Sequence, residues 1–229
     1  MAVLISAACG SVISRKYEYE EEVFLALDGS ADVYVNASVP ALIALRGAAL
    51  PVDPNARLDR QVVREIYTSP VTEVTNVSTS RRDGRRYVHL RLTVPDIRLL
   101  SQAAPFAWSQ YRFAGKDGVF EYLQTVQAAA GADVGNVGWE GNELVAFRVH
   151  LPSKVEFHNS PSRTIERGNI IVWEQPLVER QKGTPLDLTV RMQTESILFR
   201  TLALFGMMMA AAALTFAAAI WFVKSRKVA

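Results

Sequence analysis

The side chains that could carry catalytic or metal chemistry are few and scattered along this sequence. Its three histidines are His89, His150 and His158, and none has the HxH or HxxxH spacing that brings two imidazoles to one metal ion. We therefore interpret His89 and His150 as residues on strand faces. The sequence contains no GxSxG, HExxH, P-loop or CxxC motif. We predict no catalytic residue, no metal site and no cofactor, and a hydrolase with dispersed residues stays as an alternative.

An acidic cluster lies at the start of the first predicted strand. The stretch Tyr17–Glu22 alternates tyrosine with glutamate at its beginning, which is typical of a solvated edge strand. Its acidic residues are Glu18, Glu20, Glu21 and Glu22. We predict that these carboxylates are solvated and do not form a catalytic pair.

A basic cluster surrounds the turn Asp83–Gly84 and consists of Arg81, Arg82, Arg85 and Arg86. We interpret it as a solvated hairpin tip, with contact to an anionic lipid or polymer as the alternative.

Four aromatic residues on or near predicted strands are candidates for the lining of a ligand pocket. They are Trp108, Phe113, Trp139 and Trp173. A curved sheet covered by helices can enclose an apolar pocket, and such pockets are lined mainly by apolar and aromatic side chains. Plain core packing of the four side chains is the alternative.

Cys9 is the only cysteine, so no intrachain disulfide can form. Small residues at positions 6–8 precede it, and the apolar run Val3–Ile5 precedes those. This order resembles the lipobox of bacterial lipoproteins, although Ser6 stands where leucine is usual. We predict that residues 1–14 are the remnant of a signal segment and that Cys9 is acylated. A free thiol near the terminus is the alternative.

Near the C-terminus, Thr201–Val223 is a run of 23 residues without a charge. As a helix it is roughly 34 Å long, enough to cross a hydrocarbon core of roughly 30 Å. We predict a transmembrane helix over 196–223. The basic tip, residues 224–229, carries Lys224, Arg226 and Lys227, and no acidic residue follows Glu195. By the positive-inside rule the tip is cytoplasmic, and we predict a single-pass protein of the bacterial cell membrane with its N-terminal domain outside. A tail-anchored protein with a cytosolic domain is the alternative.

The net charge of +2 includes +3 from the basic tip, so the remaining chain is nearly neutral. Nucleic-acid-binding domains carry a concentrated basic surface. We therefore predict no nucleic-acid partner.

Residues 15–195 read as one extracytoplasmic α+β domain. Asp28–Gly29 lies between apolar runs, and Asp83–Gly84 lies at a charged tip between two predicted strands, so the sequence predicts two β-hairpins. Asp53 is a candidate N-cap for an amphipathic helix over 54–67. The run Val119–Val126 fits a strand or a helix equally well. We predict about eight strands in a curved antiparallel sheet, with a few helices on one face.

The two hairpins share a local pattern. Asp28–Gly29 and Val39–Pro40 recur 55 residues later as Asp83–Gly84 and Val94–Pro95. An internal duplication and independent convergence on the same turn chemistry both explain this recurrence.

The overall layout resembles the LppM-like family of bacterial envelope lipoproteins. Cys9, the Asp28–Gly29 hairpin, the run Gly168–Trp173 and the C-terminal span carry the resemblance. It implies an outward-facing α+β domain with a lipid-handling role.

The first functional hypothesis is a non-enzymatic envelope protein whose outer domain binds a lipid-like ligand or a protein partner. The second is an accessory or structural subunit of a membrane complex. Gly206 and Ala210 support the second, because small residues four apart let transmembrane helices approach closely.

Overall fold

The computed structural model describes residues 16–129 and 131–226. They form two β-sheets with a few short helices and one long C-terminal helix. The ten strands are β1 Tyr17–Leu25, β2 Ala31–Ser38, β3 Glu73–Arg82, β4 Arg85–Val94, β5 Ser109–Lys116, β6 Val119–Val126, β7 Leu144–His150, β8 Ser153–His158, β9 Ile170–Pro176 and β10 Leu186–Ser196. The α-helices are α1 Val39–Arg46, α2 Arg60–Tyr67, α3 Leu177–Gln181 and α4 Ile197–Arg226, and two 3-10 helices span Ile97–Gln102 and Ala104–Phe106.

The large sheet has the strand order β3-β4-β2-β1-β7-β9, and the small sheet has the order β5-β6-β10-β8. Neighbouring strands are antiparallel except for β1 and β7, which are parallel. The predicted α+β class is confirmed. The predicted single sheet is divided in two, and the undecided run Val119–Val126 is strand β6.

Both predicted hairpins are present, and their turns show why the sequence places them there. Asp83 and Gly84 have φ values of 50° and 72°, so both central residues of the β3–β4 turn are left-handed. Asp and Gly tolerate this conformation, and it matches the twist of the flanking strands. The two hairpins lie side by side, since β2 pairs with β4.

The helix predicted over 54–67 is shorter than expected. α2 begins at Arg60, and Asp59 caps it by accepting a hydrogen bond of 2.8 Å from the Gln61 backbone N–H. Asp53 instead accepts from the Asn55 N–H within a turn. β5 begins at Ser109, just after the 3-10 helix that contains Pro105 and Phe106.

The hydrophobic core lies between the inner faces of the two sheets and includes α1, whose residues from Val39 to Leu45 are all buried. Ser38 caps α1 through its hydroxyl, which accepts from the Ala41 N–H, and Gly47 ends the helix at φ 64°. Pro40 lies in the first turn, where no intrahelical N–H is required. This short capped helix closes one end of the space between the sheets.

The two ends of the large sheet have different neighbours. At one end, which we call the helix end, the Ile197 N–H at the start of α4 donates to Pro152 O, just beyond β7. At the other, which we call the far end, the Leu144 N–H at the start of β7 donates to Lys16 O. Strands rise about 3.3 Å per residue, so the two ends are roughly 26 Å apart.

α4 is separate from this core. An 18-residue window within its stretch Ile197–Trp221 has a mean hydropathy of 2.0, and none of the described side chains of this stretch is buried. By length and composition this helix could cross a membrane. The span and the first residues of the basic tip form one continuous helix ending at Arg226.

Candidate ligand-binding site

The basic hairpin tip is partly buried, which corrects the predicted solvated tip. Arg85 and Arg86 are only 8% and 6% exposed, whereas Arg81 and Arg82 are exposed. All four guanidinium groups donate hydrogen bonds to the protein, but only those of Arg85 and Arg86 are buried.

Each buried arginine fastens a separate loop. Arg86 Nη1 donates to Ala56 O at 2.8 Å, and its Nη2 donates to Pro51 O. Arg85 Nη1 donates to Gly138 O at 3.1 Å, in the glycine-rich segment before β7. Hydrogen bonds from charged donors are the stronger kind, so these contacts position both loops relative to the hairpin.

A cleft of about 320 Å³ lies between these segments. Its lining residues come from the start of α1, the two fastened loops and the hairpin tip. They are Val39, Pro40, Val52, Pro54, Asp83, Gly84, Arg85, Arg86, Asn136, Val137 and Gly138. The cleft lies at the far end, because the β3–β4 turn projects beyond the Ser38–Tyr87 pair of β2 and β4. It therefore combines an apolar wall with two buried cations.

The two arginines of the cleft differ in whether a carboxylate neutralises their charge. Arg85 Nη2 lies 2.9 Å from Glu18 Oε1, which also accepts from the Tyr87 hydroxyl at 2.8 Å. Burial opposes the charge on Arg85, but the attraction and hydrogen bonding of Glu18 and Tyr87 together outweigh it and raise the Arg85 pKa. Arg86 has no carboxylate within ion-pair distance among the described residues, and burial lowers its pKa. The cleft therefore retains one uncompensated positive charge.

A second polar cluster lies between the sheets, around Glu21. Its carboxylate accepts from Arg46 at 2.9 Å and Tyr19 at 2.8 Å on one oxygen, and from Tyr111 at 3.0 Å and Gln124 at 2.8 Å on the other. The Arg46 guanidinium also lies 3.3 Å from the centre of the Trp108 ring. Glu21 is 1% exposed. We call these residues the closed cluster, because they leave Glu21 no path to solvent.

The prediction that the acidic cluster at the start of β1 lies on a solvated edge strand is therefore wrong. β1 lies inside the large sheet, between β2 and β7, and Glu18 is fully buried like Glu21. Glu20 and Glu22 lie on the outer face, where Glu20 pairs with Arg148 and Glu22 accepts from His150 at 3.1 Å. Sequence alternation alone could not show that β7, whose residues pair with β1 from 126 positions further along the chain, covers this strand.

The four aromatic pocket candidates do not meet in one place. Trp108 and Trp173 are buried in the core, and Trp173 Nε1 donates to Asn159 Oδ1 at 2.9 Å. Phe113 stacks on Phe120, with ring centres 5.0 Å apart. Trp139 is half-buried beside a surface pocket at Gly131–Gly135. Their role as pocket lining stays a prediction.

The two histidines assigned to strand faces lie on the outer face of the large sheet. His150 stacks on Phe24 with ring centres 3.8 Å apart, and the His89 ring contacts Asn36 and Ser80. Within the described ranges, no group of three or more His, Cys, Asp or Glu side chains could hold a metal ion.

Two predicted features lie at the edges of the described chain. Cys9 and Lys227 lie outside the described residues, whereas Lys224 and Arg226 belong to the last turn of α4. Gly206 and Ala210 lie on the exposed part of α4.

The residue that the sequence reasoning missed is Arg86. The signal was present in the apolar alternation of β4, since Val88, Leu90, Leu92 and Val94 share one face and Arg86 is the next position on that face.

No protein-family model matches the chain, and no curated protein matches it. Among solved structures, the chain is similar to the NMR structure of the folded domain of LppM from Mycobacterium tuberculosis. The two are 13% identical with a TM-score of 0.43, and the match covers 80% of this chain and 94% of that one. The LppM-like family is the one that the sequence layout resembles, and membership of this chain in it stays a prediction.

Proposed function

We propose that this chain is a membrane-anchored protein of the bacterial cell envelope whose outer domain binds a lipid-like ligand or a protein partner without chemical turnover. The observation that carries the proposal is α4, a 30-residue helix that is apolar around its circumference and unburied along its described side chains. A helix that is apolar all round requires either a protein core or a bilayer, and the domain core is complete without this one.

The charge distribution supports an outward-facing domain. The basic residues Lys224, Arg226 and Lys227 follow the span, and the acidic residue nearest to it on the other side is Glu195. Lysine and arginine are retained on the cytoplasmic side during insertion, so the C-terminus is inside and residues 16–196 are outside.

The cleft at the far end supports ligand binding. Its volume of about 320 Å³ falls within the range of small-molecule sites, and its wall combines apolar side chains with a few polar groups. Such a composition suits a ligand that is itself part apolar and part charged.

An accessory subunit of a membrane complex remains the second function. Gly206 favours it, since no atom lies within 4 Å of the position that a Cβ would occupy there, which leaves this face of α4 free to pack on another helix. Co-purification of a stable partner that is lost in Gly206→Leu, with ligand binding absent, would support this function over the first.

Anchoring and orientation can be tested together in spheroplasts. In a Cys9→Ala background, Gln110→Cys on β5 should react with an impermeant thiol reagent, and Ser225→Cys should react only after permeabilisation. Ala212→Arg serves as the matched control, because a charge at the middle of the span disfavours insertion while touching nothing in the domain. The chain should resist alkaline extraction unless it carries Ala212→Arg. The reversed labelling pattern would contradict the orientation, and extraction of the unaltered chain would contradict the anchor.

A further inference from the structure

We propose that the far-end cleft binds a single-chain anionic amphiphile, with its carboxylate or phosphate head at Arg86 and its chain against Val39, Pro40 and Val52. This inference rests on the proposed ligand-binding function and names the site and the class of ligand.

The head group is inferred from the charge balance of the cleft. Arg85 is neutralised by Glu18, and Asp83 on the rim lies 3.8 Å from Arg82. Arg86 has no such partner among the described residues; only the more distant Asp53 attracts it, and Arg81 repels it. An anion in the cleft would supply the compensation that the protein itself omits, and a buried charge is costly without it.

Arg86 also retains hydrogen-bonding capacity. A guanidinium group offers five N–H donors, and the carbonyls of Pro51 and Ala56 take two of them. Its Nε has no acceptor in the described structure but is buried, so the donors available to a ligand are the second N–H groups of Nη1 and Nη2. The planar group is thus already held in place by two contacts and has donors left for a carboxylate or phosphate, both of which suit arginine geometry.

The number of chains is inferred from the size of the cleft. A volume of about 320 Å³ is at the lower end of the roughly 300–1,000 Å³ typical of ligand sites. One head group and part of one chain fill such a space, and a second chain has no room. The apolar wall is formed by side chains of modest size, Val39, Pro40, Val52 and Pro54, which suits a methylene chain.

The position of the cleft leads to the same ligand class. The cleft lies at the end of the sheet remote from α4, so a ligand from the anchoring bilayer must leave the hydrocarbon to reach it. The cost of leaving grows with every methylene group, and a second chain doubles it. A single-chain amphiphile crosses this gap far more readily than a two-chain lipid does.

The test uses the full-length chain in phosphatidylcholine nanodiscs and dodecyl phosphate that carries a photoreactive diazirine at the chain end. Saturable labelling should map to peptides that contain Val39–Pro40, Val52–Pro54 or Asn136–Gly138. Arg86→Gln should reduce labelling about tenfold, since it removes a charged hydrogen-bond donor, and Arg86→Lys should restore part of it. Arg98→Gln, an exposed arginine at the helix end, should leave labelling unchanged.

A second variant separates loss of binding from loss of folding. Val52→Trp fills the cleft from its exposed rim and leaves Arg86 and its two carbonyl contacts in place. It should abolish labelling while the thermal midpoint of the chain stays within its normal range. Labelling that persists in Val52→Trp overturns the proposed site.

Competition by other amphiphiles against the photoreactive dodecyl phosphate shows which chemical groups the cleft recognises. Lauric acid and lysophosphatidic acid should both compete, inorganic phosphate alone should not, and the uncharged monolaurin should compete at least tenfold more weakly. Equal competition by two-chain phosphatidic acid overturns the single-chain inference. Saturable labelling elsewhere in the domain overturns this site but leaves the proposed ligand-binding function standing. Absence of saturable labelling with every amphiphile overturns both.

Discussion

Arg46 and Arg85 each pair with a buried glutamate of β1 at 2.9 Å, but the surroundings of the two pairs differ. In the closed cluster, both oxygens of Glu21 have two donors, and the face of Trp108 covers Arg46. At the cleft, Glu18 Oε2 has no partner, and a further cation, Arg86, lies beside the pair without a carboxylate.

The difference agrees with the proposed roles, a structural one for the Arg46 pair and a ligand-binding one for the Arg85 pair. The closed cluster joins β1 to α1, β5 and β6, and so fixes the relative position of the two sheets. The cleft cluster fastens two surface loops and leaves an apolar space between them. Both clusters contain buried guanidinium nitrogens without a partner, which are Arg46 Nε and Nη1 in the closed cluster and Arg85 Nε and Arg86 Nε at the cleft. The carboxylates differ: Glu21 has donors on both oxygens inside the core, whereas Glu18 Oε2 has none and lies beside arginines that line a cavity, which suits a role toward a ligand.

The largest expected effect comes from breaking the closed cluster. Glu21→Gln leaves the buried Arg46 charge unpaired, and Arg46→Met leaves the Glu21 charge unpaired. Each should lower the free energy of unfolding by about 3–5 kcal/mol, measured by urea denaturation. The double variant should cost clearly less than the sum of the two, because neither charge then remains. Strictly additive losses would contradict a coupled pair. Glu140→Gln, in an exposed ion pair with Lys16, is the control and should leave the midpoint unchanged.

A smaller effect concerns alkaline pH. Burial raises the pKa of Tyr19 and Tyr111, which belong to the closed cluster, and of Tyr122, whose hydroxyl donates to Gln124 of that cluster at 2.8 Å. A pKa above its unfolded value of about 10 means that the neutral phenol stabilises the fold below pH 10 and that this stability is lost as pH rises. Above pH 10, each such tyrosine should make the free energy of unfolding fall more steeply, by about 1.4 kcal/mol per pH unit. Denaturation curves at a series of alkaline pH values should show a shallower decline in Tyr122→Phe. An unchanged slope would show that Tyr122 does not contribute to the loss of stability at alkaline pH.

The sequence predicted the elements that depend on local chemistry and missed the contacts that depend on distant strands. The turns at Asp28–Gly29 and Asp83–Gly84 need residues that tolerate positive φ, and such residues are visible in the sequence. The α+β class was predicted from two such hairpins, each followed by a helical segment. The burial of Glu21 was not predictable in this way, because its partners Tyr111 and Gln124 lie 90 and 103 residues away.

The candidate site illustrates the same limit. The basic cluster was visible as a group of four arginines, and the alternation of β4 indicates that Arg86 faces inward, but local sequence does not show which groups Arg86 meets there. Its cross-strand neighbour Arg81 donates to the same loop, at Pro54 O, but stays exposed, whereas Arg86 is buried and donates to Ala56 O and Pro51 O, 30 and 35 residues earlier in the chain. The apolar side of the cleft is assembled from α1 and two loops, none of which carries a binding motif.

The smallest expected effect on stability, and the sharpest test of the comparison, comes from Arg86→Gln. The change removes two carbonyl contacts but also removes a buried, uncompensated charge, and these opposing terms should leave a loss of about 1 kcal/mol or less. Thermal unfolding with and without lysophosphatidic acid should then show that the stabilisation by ligand is lost in Arg86→Gln and kept in Tyr122→Phe, which alters the closed cluster while leaving its charges paired. Such a split would show that binding depends on the cleft cluster and not on the closed one. If Arg86→Gln instead destabilises the ligand-free chain as strongly as Glu21→Gln does, the two clusters have the same structural role and the distinction between them fails.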